Sequence, residues 1–365
     1  MLNIIHVGGH YDQFRGGGNL RNVELFKELS VICNIYVIAF IENRDNIDKN
    51  LNSDHSFKLL VYEGNFIKQL LLVLKIVFLK DIDVIHVHNL RLAVALRILL
   101  PFKKLVIEFH GIKDFTGLVG KLSYFIMSRL NGFIVLSNTL KEYFSSKYGL
   151  SKNKIEFIVN GYNLGTVYKY PIEEVKDGEE ISVAYIGTLH DWQGVFNFAD
   201  VIDSILKKSN LERKVVFKFI GNGNVLEKLK NQLGSYVESG KVIFVGEVAP
   251  KDISKYWQDE NIIVMPRPST VSTETIIPLK VVDALKYSKL IVASDVGGLV
   301  ELLTHDKNAI IYDKNSLLDF EEKLVFCIEN YNDLAYLREN ASNTAENLPT
   351  WKDQAFRVQA FYKEL

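Results

Sequence analysis

Residues 264–303 read VMPRPSTVSTETIIPLKVVDALKYSKLIVASDVGGLVELL, and this stretch predicts a strand–loop–helix–strand unit of a parallel sheet. A strand at 261–266 leads into it, a helix is expected at 278–287, and a second strand at 289–294. Both strands are nearly continuous apolar runs, which is typical of parallel strands that are buried on both faces. Ligands bind at the carboxyl ends of such strands, so the polar loop after Pro266 is where a site is expected.

The same alternation of short apolar runs and longer amphipathic segments occurs along the whole chain. A first series ends near residue 148 and a second begins at residue 180. Between them, residues 164–179 are polar and contain Pro171, so we place a linker there. The expected fold class is α/β, with two Rossmann-like domains, 1–165 and 166–350, that face each other across a cleft.

The composition limits the classes of protein to which the chain can belong. It has 365 residues with 43 Lys+Arg and 44 Asp+Glu, a formal net charge of -1, which argues against a nucleic-acid-binding protein. Its two cysteines, Cys33 and Cys327, suggest neither a zinc motif nor a disulfide framework, and they favour a cytoplasmic location. The N-terminus lacks the basic region of a secretion signal, and the apolar stretch 69–80 is too short to span a bilayer.

Four charged residues of the opening stretch are the densest set of candidate site residues: Arg267, Glu274, Lys280 and Asp283. Arg267 follows a strand, and the loop from Glu274 to Pro278 can lead free backbone amides onto an anion at the next helix N-terminus. Lys280 adds a point charge there, and Asp283 is placed to accept hydrogen bonds from vicinal hydroxyls. A diphosphate flanked by sugars would use all of these groups; the alternative is a set of charges that only solvates a helix N-terminus.

Further motifs follow one another in a recognisable order. In the first half they are GGGNLRNV (16–23), DVIHVHN (83–89), EFHG (108–111) and IVNGYN (158–163). In the second half they are YIGTLHDWQG (185–194), FIGNGN (219–224), VIFVGEV (242–248) and the stretch from Arg267 to Gly298. This ordered set resembles the retaining, family-4-like glycosyltransferases of GT-B fold, which take nucleotide-sugar donors, and the resemblance covers nearly the whole chain.

The resemblance implies roles for particular residues. His110 and Glu274 are expected to be catalytic, and His88 to bind the acceptor. The residues expected to bind the donor are Gly17, Gly18, Gly187, Thr188, Gln193, Gly221, Arg267, Lys280 and Asp283. No metal and no other cofactor is expected, and the C-terminal helix 351–365 is expected to pack back on the first domain.

Two features depart from the family pattern. Thr188 and Gln193 stand where most members carry an Arg and a Lys that neutralise the donor diphosphate, and we expect Arg267 and Lys280 to replace them. The paired acidic residues, usually two Glu eight positions apart, are here Glu274 and an Asp nine positions further on.

We therefore expect a metal-independent retaining glycosyltransferase of the hexosyltransferase class. It would move a sugar from a UDP-sugar to a hydroxyl of a lipid-linked or glycan acceptor in cell-surface polysaccharide synthesis. Two alternatives stay open at this point: another GT-B enzyme, such as a nucleotide-sugar epimerase, and a non-catalytic partner subunit. The absence of the usual Arg and Lys, with Thr188 and Gln193 in their places, would suit a non-catalytic partner subunit.

The near-zero net charge is a cancellation between the two halves of the chain. Residues 1–165 contain 20 Lys+Arg and 14 Asp+Glu (+6), which leaves 23 and 30 (-7) for residues 166–365. Cations near apolar segments of the first half are Lys68, Lys75, Lys80, Lys103 and Lys104. Because anionic lipids attract such cations, the first domain is expected to contact the inner face of the cell membrane, with an ordinary solvated face as the alternative.

Overall fold

The computed structural model describes residues 1–10, 16–40, 58–62, 66–111, 124–162, 172, 174–176, 178–208, 211–249 and 252–365. The chain divides into two compact units. Unit 1 comprises Met1–Asn163 with Pro349–Leu365, and unit 2 comprises Leu164–Leu348. The centre of the expected linker, 163–171, and the first half of a helix expected at 117–130 lie outside the described residues.

Unit 1 is built on a seven-stranded parallel sheet with the strand order β3-β2-β1-β4-β5-β6-β7. Its strands are β1 (Asn3–His10), β2 (Asn34–Phe40), β3 (Lys58–Tyr62), β4 (Val84–Val87), β5 (Lys104–Phe109), β6 (Gly132–Val135) and β7 (Ile155–Phe157). Its helices are α1 (Gly16–Ile32), α2 (Phe66–Leu79), α3 (Leu90–Leu99), α4 (Asn138–Tyr148) and, from the end of the chain, α14 (Trp351–Glu364). Strands β4 and β6 are buried along their whole length, as expected for a sheet with helices on both faces.

Local sequence explains where these helices begin and end. The Asn89 side chain accepts hydrogen bonds from the first amides of α3, and the Ser137 hydroxyl does the same for α4. Helix α4 ends at Gly149, which has φ +63°, a left-handed conformation that favours glycine. Helix α14 begins with a capping box formed by Thr350 and Asp353 and packs against α1 within unit 1.

Unit 2 contains a six-stranded parallel sheet with the order β10-β9-β8-β11-β12-β13. Its strands are β8 (Glu180–Ile186), β9 (Lys214–Ile220), β10 (Val242–Gly246), β11 (Ile262–Met265), β12 (Leu290–Ser294) and β13 (Ile310–Tyr312). Its helices are α5 (Val195–Lys208), α6 (Leu226–Gln232), α7 (Gly234–Glu238), α8 (Ile253–Asp259), α9 (Val271–Thr275), α10 (Leu279–Lys286), α11 (Gly297–Val300), α12 (Leu317–Glu329) and α13 (Ala335–Glu346). The expectation of an α/β fold with two Rossmann-like sheets is confirmed.

Several elements differ from the sequence-based expectation. Strands β3 and β7 and helices α9, α12 and α13 were not expected at all. The two strands lie at the edges of the first sheet. Strand β7 has only three residues, IEF, too few to show a pattern, whereas β3, KLLVY, is an apolar run that the sequence analysis did not assign. Pro278 is the N-cap of α10 rather than a residue of its first turn, because its ψ of 141° is extended. Among the described residues, no helix is long and apolar enough to cross a membrane.

Candidate functional site

The loops after β8 and β9 lie against each other at the carboxyl end of the unit 2 sheet. Gly187 has φ +143° and its amide donates to the carbonyl oxygen of Ile220. Gly221 has φ +135°, and a Cβ at this position would lie 2.0 Å from the Gly187 carbonyl oxygen. Any larger residue at 221 would force these two loops apart, so both predicted donor-site glycines have a packing reason to be glycine.

Arg267 and Lys280 converge on one neutral acceptor at this edge of the sheet. Arg267 Nε lies 3.3 Å and Lys280 Nζ 3.1 Å from the Gln193 side-chain oxygen. Lys280 Nζ also donates to the Tyr185 hydroxyl at 3.2 Å, and Arg267 Nη1 donates to a carbonyl oxygen of the α9–α10 loop at 3.2 Å. Among the described residues neither cation has a carboxylate within ion-pair distance. We call these four residues, Tyr185, Gln193, Arg267 and Lys280, the cation cluster.

The electrostatics of the cation cluster favour the arrival of an anion. Arg267 is only 4% exposed, and burial lowers its pKa to about 10. Burial and then the charge of Arg267 lower the pKa of Lys280 well below its usual range. Two cations that share a neutral acceptor repel each other, and a diphosphate placed between them would remove that repulsion. We expected Arg267 and Lys280 to replace the Arg and Lys that most family members carry at the positions of Thr188 and Gln193. This replacement stays a prediction, and the structure places both side chains around the Gln193 oxygen.

The loop that carries Gln193 is held tightly in place. A short 3-10 turn, Asp191–Gln193, ends at Gly194, whose φ is +77°. A Cβ on Gly194 would lie 1.5 Å from the carbonyl oxygen of Pro266, the residue before Arg267. The loop after β8 and the end of β11 are therefore in direct backbone contact, which explains how Gln193 reaches Arg267.

Glu274 is already bound by neighbouring groups. Its carboxylate accepts the Gly297 amide at 2.7 Å and the Ser269 hydroxyl at 2.6 Å, and it pairs with Lys314 at 2.8 Å. Burial opposes its ionisation, but the hydrogen bonds from Lys314, Ser269 and Gly297 outweigh burial and lower its pKa. Glu274 thus ties α9 to the N-terminus of α11, and its charge is balanced by a lysine that sequence reasoning did not name.

The remaining predicted residues of unit 2 are less closely connected. The nearest cation to the Asp283 carboxylate is Lys286, 3.9 Å away, and the Asp283 side chain is 40% exposed. Thr188 is exposed, and its carbonyl oxygen accepts the Tyr185 hydroxyl at 2.8 Å. The described contacts therefore connect Asp283 to none of the other predicted donor residues.

Unit 1 has its own cluster of titratable groups, centred on a carboxylate. Glu108, on β5, is 1% exposed in its side chain and pairs with Arg21 Nε at 2.9 Å. His110 Nε2 donates to the same carboxylate oxygen, Glu108 Oε1, at 2.6 Å. Burial opposes the ionised carboxylate, but Arg21 and His110 outweigh burial and lower the pKa of Glu108 well below its usual range. Glu108 therefore holds the predicted catalytic His110 in one orientation.

His88 lies beside His110, with their ring centroids 4.8 Å apart. His88 Nε2 is 2.5 Å from His6 Nε2, and His86 Nδ1 is 2.6 Å from the hydroxyl of Tyr362 on α14. The predicted acceptor-binding residue His88 and the predicted catalytic residue His110 thus lie side by side. Gly17 and Gly18 lie in the first turn of α1.

Sequence reasoning missed the partners that hold the predicted residues. They are Arg21 and Glu108 in unit 1, and Tyr185 and Lys314 in unit 2. One signal was available for Glu108, because a carboxylate within the apolar run KLVIEF of a buried strand needs a cation partner. Arg21 lies 87 residues from Glu108, and Tyr185 lies 95 residues from Lys280. Lys314 is likewise distant in sequence from Glu274. The motifs that contain Arg21 and Tyr185 do not indicate which of these groups they contact.

Comparison with known proteins identifies relatives of both units. The family described as Glycosyltransferase Family 4 matches residues 30–166, and that described as Glycosyl transferases group 1 matches residues 169–344. An uncharacterized glycosyltransferase of Methanocaldococcus jannaschii is 24% identical over 72% of this chain and 69% of its own length. An uncharacterized protein of the Klebsiella pneumoniae cps region is 24% identical over 71% of this chain and 76% of its own length.

Solved structures agree with these matches. Anabaena HepE in complex with UDP superposes with a TM-score of 0.81 at 16% identity, covering 100% of both chains. The same protein in complex with UDP-glucose superposes with a TM-score of 0.78 at 16% identity, again over 100% of both chains. The two family matches follow one another along most of the chain, and the fold agrees with both. The chain therefore belongs to the family-4-like, group 1 glycosyltransferases of GT-B fold.

Proposed function

We propose that the protein transfers a hexose from a UDP-sugar to a hydroxyl acceptor with retention of anomeric configuration and without a metal ion. The observation that carries the proposal is the convergence of Arg267 and Lys280 on Gln193 at the carboxyl end of the unit 2 sheet. Arg267, which is buried, and Lys280, which is half-buried, lack a carboxylate partner among the described residues and are suited to a ligand with adjacent negative charges. A diphosphate is such a ligand.

The chemistry needs this arrangement because charge separates when the sugar–phosphate bond breaks. Negative charge grows on the leaving diphosphate, and the cations stabilise it from positions that are fixed before the reaction. Removing one such preorganised donor typically costs about 3–4 kcal/mol of transition-state stabilisation. In this proposal the two side chains do the work that a divalent cation does in other phosphate-transfer sites, so the transfer step needs no metal.

Roles for the other predicted residues follow from their contacts. Gly187 and Gly221 allow the two strand-end loops to approach the donor, with Thr188 beside them. Asp283, whose side chain is 40% exposed and lies 3.9 Å from Lys286, is available in this proposal to accept hydrogen bonds from ribose or sugar hydroxyls. Glu274 orders the α9–α11 region that borders the cation cluster. In unit 1, His110 is held by Glu108 and would contact the reacting sugar, with His88 toward the acceptor.

The choice of a UDP-sugar as the donor is supported only by structural similarity to a solved protein. Anabaena HepE was solved with UDP and with UDP-glucose. The proposal that the anomeric configuration is retained rests on the family resemblance. A role in cell-surface polysaccharide synthesis, on a lipid-linked or glycan acceptor, is supported by the relative from a cps region. We place this activity in the cytoplasm, at the inner face of the membrane.

One assay separates this function from its alternatives. The protein is incubated with a UDP-hexose, with and without a hydroxyl acceptor, and the products are read by NMR. Release of UDP with an anomeric configuration that matches the donor supports the proposal, and an inverted product refutes retention. A change of configuration within an intact donor would instead identify an epimerase. No turnover and no thermal shift with UDP, GDP, ADP or CMP sugars would favour a non-catalytic subunit, because a ligand of the native state raises its apparent stability.

The membrane contact has a candidate surface on α2 and on the end of α3. The large apolar side chains exposed there are Phe66, Ile67, Leu71, Phe78, Leu79, Ile98, Leu99 and Phe102. Phe102, which is 99% exposed, and Phe78, which is 74% exposed, have almost no protein around them. Exposed cations Lys75 and Lys80 belong to the same segment. Apolar residues flanked by cations suit a surface of anionic phospholipid, where each buried large side chain contributes about 1.5–3 kcal/mol.

Sedimentation with phosphatidylcholine vesicles, with and without phosphatidylglycerol, tests this surface. Phe78→Glu with Leu79→Glu should reduce binding at least about tenfold, because two apolar side chains are replaced by charges that anionic lipid repels. Leu317→Glu with Leu318→Glu, two exposed leucines of α12, is the matched control and should bind as the wild type does. Equal binding by both double variants would refute the role of α2.

A further inference from the structure

Three histidine rings of unit 1 lie together at two neighbouring strands, β1 and β4, in the middle of the parallel sheet. His6 on β1 and His86 on β4 are direct partners in the strand register, and His88 follows two residues after His86 on the same face. The ring centroids are 4.8 Å apart for His6 and His86, 4.6 Å for His6 and His88, and 5.2 Å for His86 and His88. One nitrogen of each ring lies within 4.8 Å of the corresponding nitrogens of the other two.

These imidazoles are in the form that binds metal ions. Burial lowers the pKa of His6 and of His88 well below the usual range and that of His86 to about 4, so all three are neutral at physiological pH. A neutral imidazole offers a lone pair, which a protonated ring cannot do. In the His6–His88 contact one of the two Nε2 atoms carries the hydrogen, so that ring must move its proton to Nδ1 before both Nε2 atoms can bind an ion.

His86 is the ring whose contacts point most directly to a ligand. Its Nδ1 shares a hydrogen bond of 2.6 Å with the Tyr362 hydroxyl, which fixes the orientation of the ring. Its Nε2 is buried and has no hydrogen-bond partner in the part of the chain that the structure describes, and Glu108 Oε2 lies 3.6 Å away. A metal-binding histidine usually has one ring nitrogen hydrogen-bonded to a supporting group, while its other nitrogen binds the ion. His86 has this arrangement of contacts.

We propose that His6, His86 and His88 bind a transition-metal ion of the zinc class. Zinc–imidazole bonds of about 2.0–2.1 Å in tetrahedral geometry place ligand nitrogens roughly 3.3 Å apart. The His6–His88 pair, at 2.5 Å, would open by less than about 1 Å to admit the ion. Glu108 places negative charge on the open side of His86, although Arg21 shares that charge. An all-imidazole set selects zinc, copper or nickel over magnesium and calcium, which prefer oxygen ligands.

The proposed metal ligands belong to unit 1, whereas the cation cluster belongs to unit 2. His88 is shared with the proposed function, in which it faces the acceptor, and its ring lies 4.8 Å from that of His110. Metal binding is measured without any nucleotide, so its failure and the failure of the proposed transferase activity are distinguishable.

The test is a titration of the tag-free full-length chain with Co²⁺, whose four-coordinate form absorbs visible light, followed by competition with Zn²⁺. We expect a single ion per chain, with a tetrahedral spectrum that Zn²⁺ abolishes. His86→Gln should lose the spectrum. Tyr362→Phe, which removes only the supporting hydrogen bond, should weaken binding about tenfold. His305→Gln, at a partly exposed histidine of unit 2, is the matched control and should bind as the wild type does.

Two results would overturn the proposal. One is a wild-type chain that binds no Co²⁺ and retains no Zn²⁺ after equilibrium dialysis. The other is unchanged Co²⁺ affinity in both His86→Gln and Tyr362→Phe. If His86→Gln does not fold, His88→Gln replaces it, because the His88 residue is partly exposed and its loss disturbs the core less.

Discussion

Replacement of Lys280 by Met separates the charge of this side chain from its shape. Lys280 Nζ contacts two neutral oxygens, the Gln193 amide oxygen at 3.1 Å and the Tyr185 hydroxyl at 3.2 Å. Arg267 also donates to the Gln193 oxygen, so no negative charge among the described contacts balances the Lys280 ammonium. Methionine has a similar length and fills the same space without charge. The substitution therefore removes the feature that suits an anion and leaves the packing nearly unchanged.

The expected effect on the donor follows from the strength of a charged hydrogen bond. Such a bond contributes about 1.5–3 kcal/mol. At 1.4 kcal/mol per tenfold, this corresponds to a Kd for UDP that is about 10 to 150 times higher in Lys280→Met. The free energy of unfolding should stay the same or rise, because a buried charge that Arg267 repels has been removed. Weaker donor binding without loss of stability is the signature of a binding residue.

Isothermal titration with UDP and chemical denaturation measure the two quantities. Lys255→Met, at an exposed lysine of α8, is the matched control and should leave both unchanged. The depressed pKa of Lys280 adds a second readout. A bound diphosphate raises that pKa, so in a pH series above the range where phosphate titrates the wild type should take up protons on binding. The binding enthalpy should then depend on the buffer more strongly in the wild type than in Lys280→Met.

The reasoning is refuted if Lys280→Met binds UDP with the affinity of the wild type. It also fails if the loss of affinity is matched by an equal loss of unfolding free energy, because the methionine would then have disturbed the loop after β8. Equal proton uptake by both proteins would show that Lys280 does not titrate with donor binding.

Two further substitutions test how each unit supports its site. Gly194→Ala should destabilise unit 2 by about 2–5 kcal/mol and weaken UDP binding, because its Cβ would overlap a carbonyl oxygen at 1.5 Å. Thermal unfolding of Gly178→Ala, whose glycine has a similar φ of +83° but open space around it, should show only the conformational cost of about 1–2 kcal/mol. Arg21→Met should cost about 3–5 kcal/mol of unfolding free energy, because it leaves the buried Glu108 carboxylate without its arginine and with only the His110 hydrogen bond described above. Denaturation of Arg129→Met, at an exposed arginine, should stay within about 0.5 kcal/mol of the wild type, and a similar loss in both arginine variants would contradict the ion-pair argument.

The alternation of apolar runs was enough to predict two parallel sheets and to place their carboxyl ends. Arg267 and Lys280 could also be named, because both belong to one strand–loop–helix unit in which the strand end and the next helix are close in sequence. These are local signals. Strand β3 and helix α12 were missed although they carry such signals: β3 contains the apolar run Leu59–Tyr62, and the buried residues of α12, Phe320, Leu324, Cys327 and Ile328, have helical spacing.

Only the tertiary structure decided which residues meet at these strand ends. Gln193 lies 74 residues before Arg267, yet it joins the two cations because Gly194 packs against the end of β11. His86 finds Tyr362 276 residues away, since α14 returns to unit 1. The sequence by itself determined which residues end each strand. Which of them share a hydrogen bond depends on strand order and on backbone contacts between distant loops, and no periodicity of the chain encodes these.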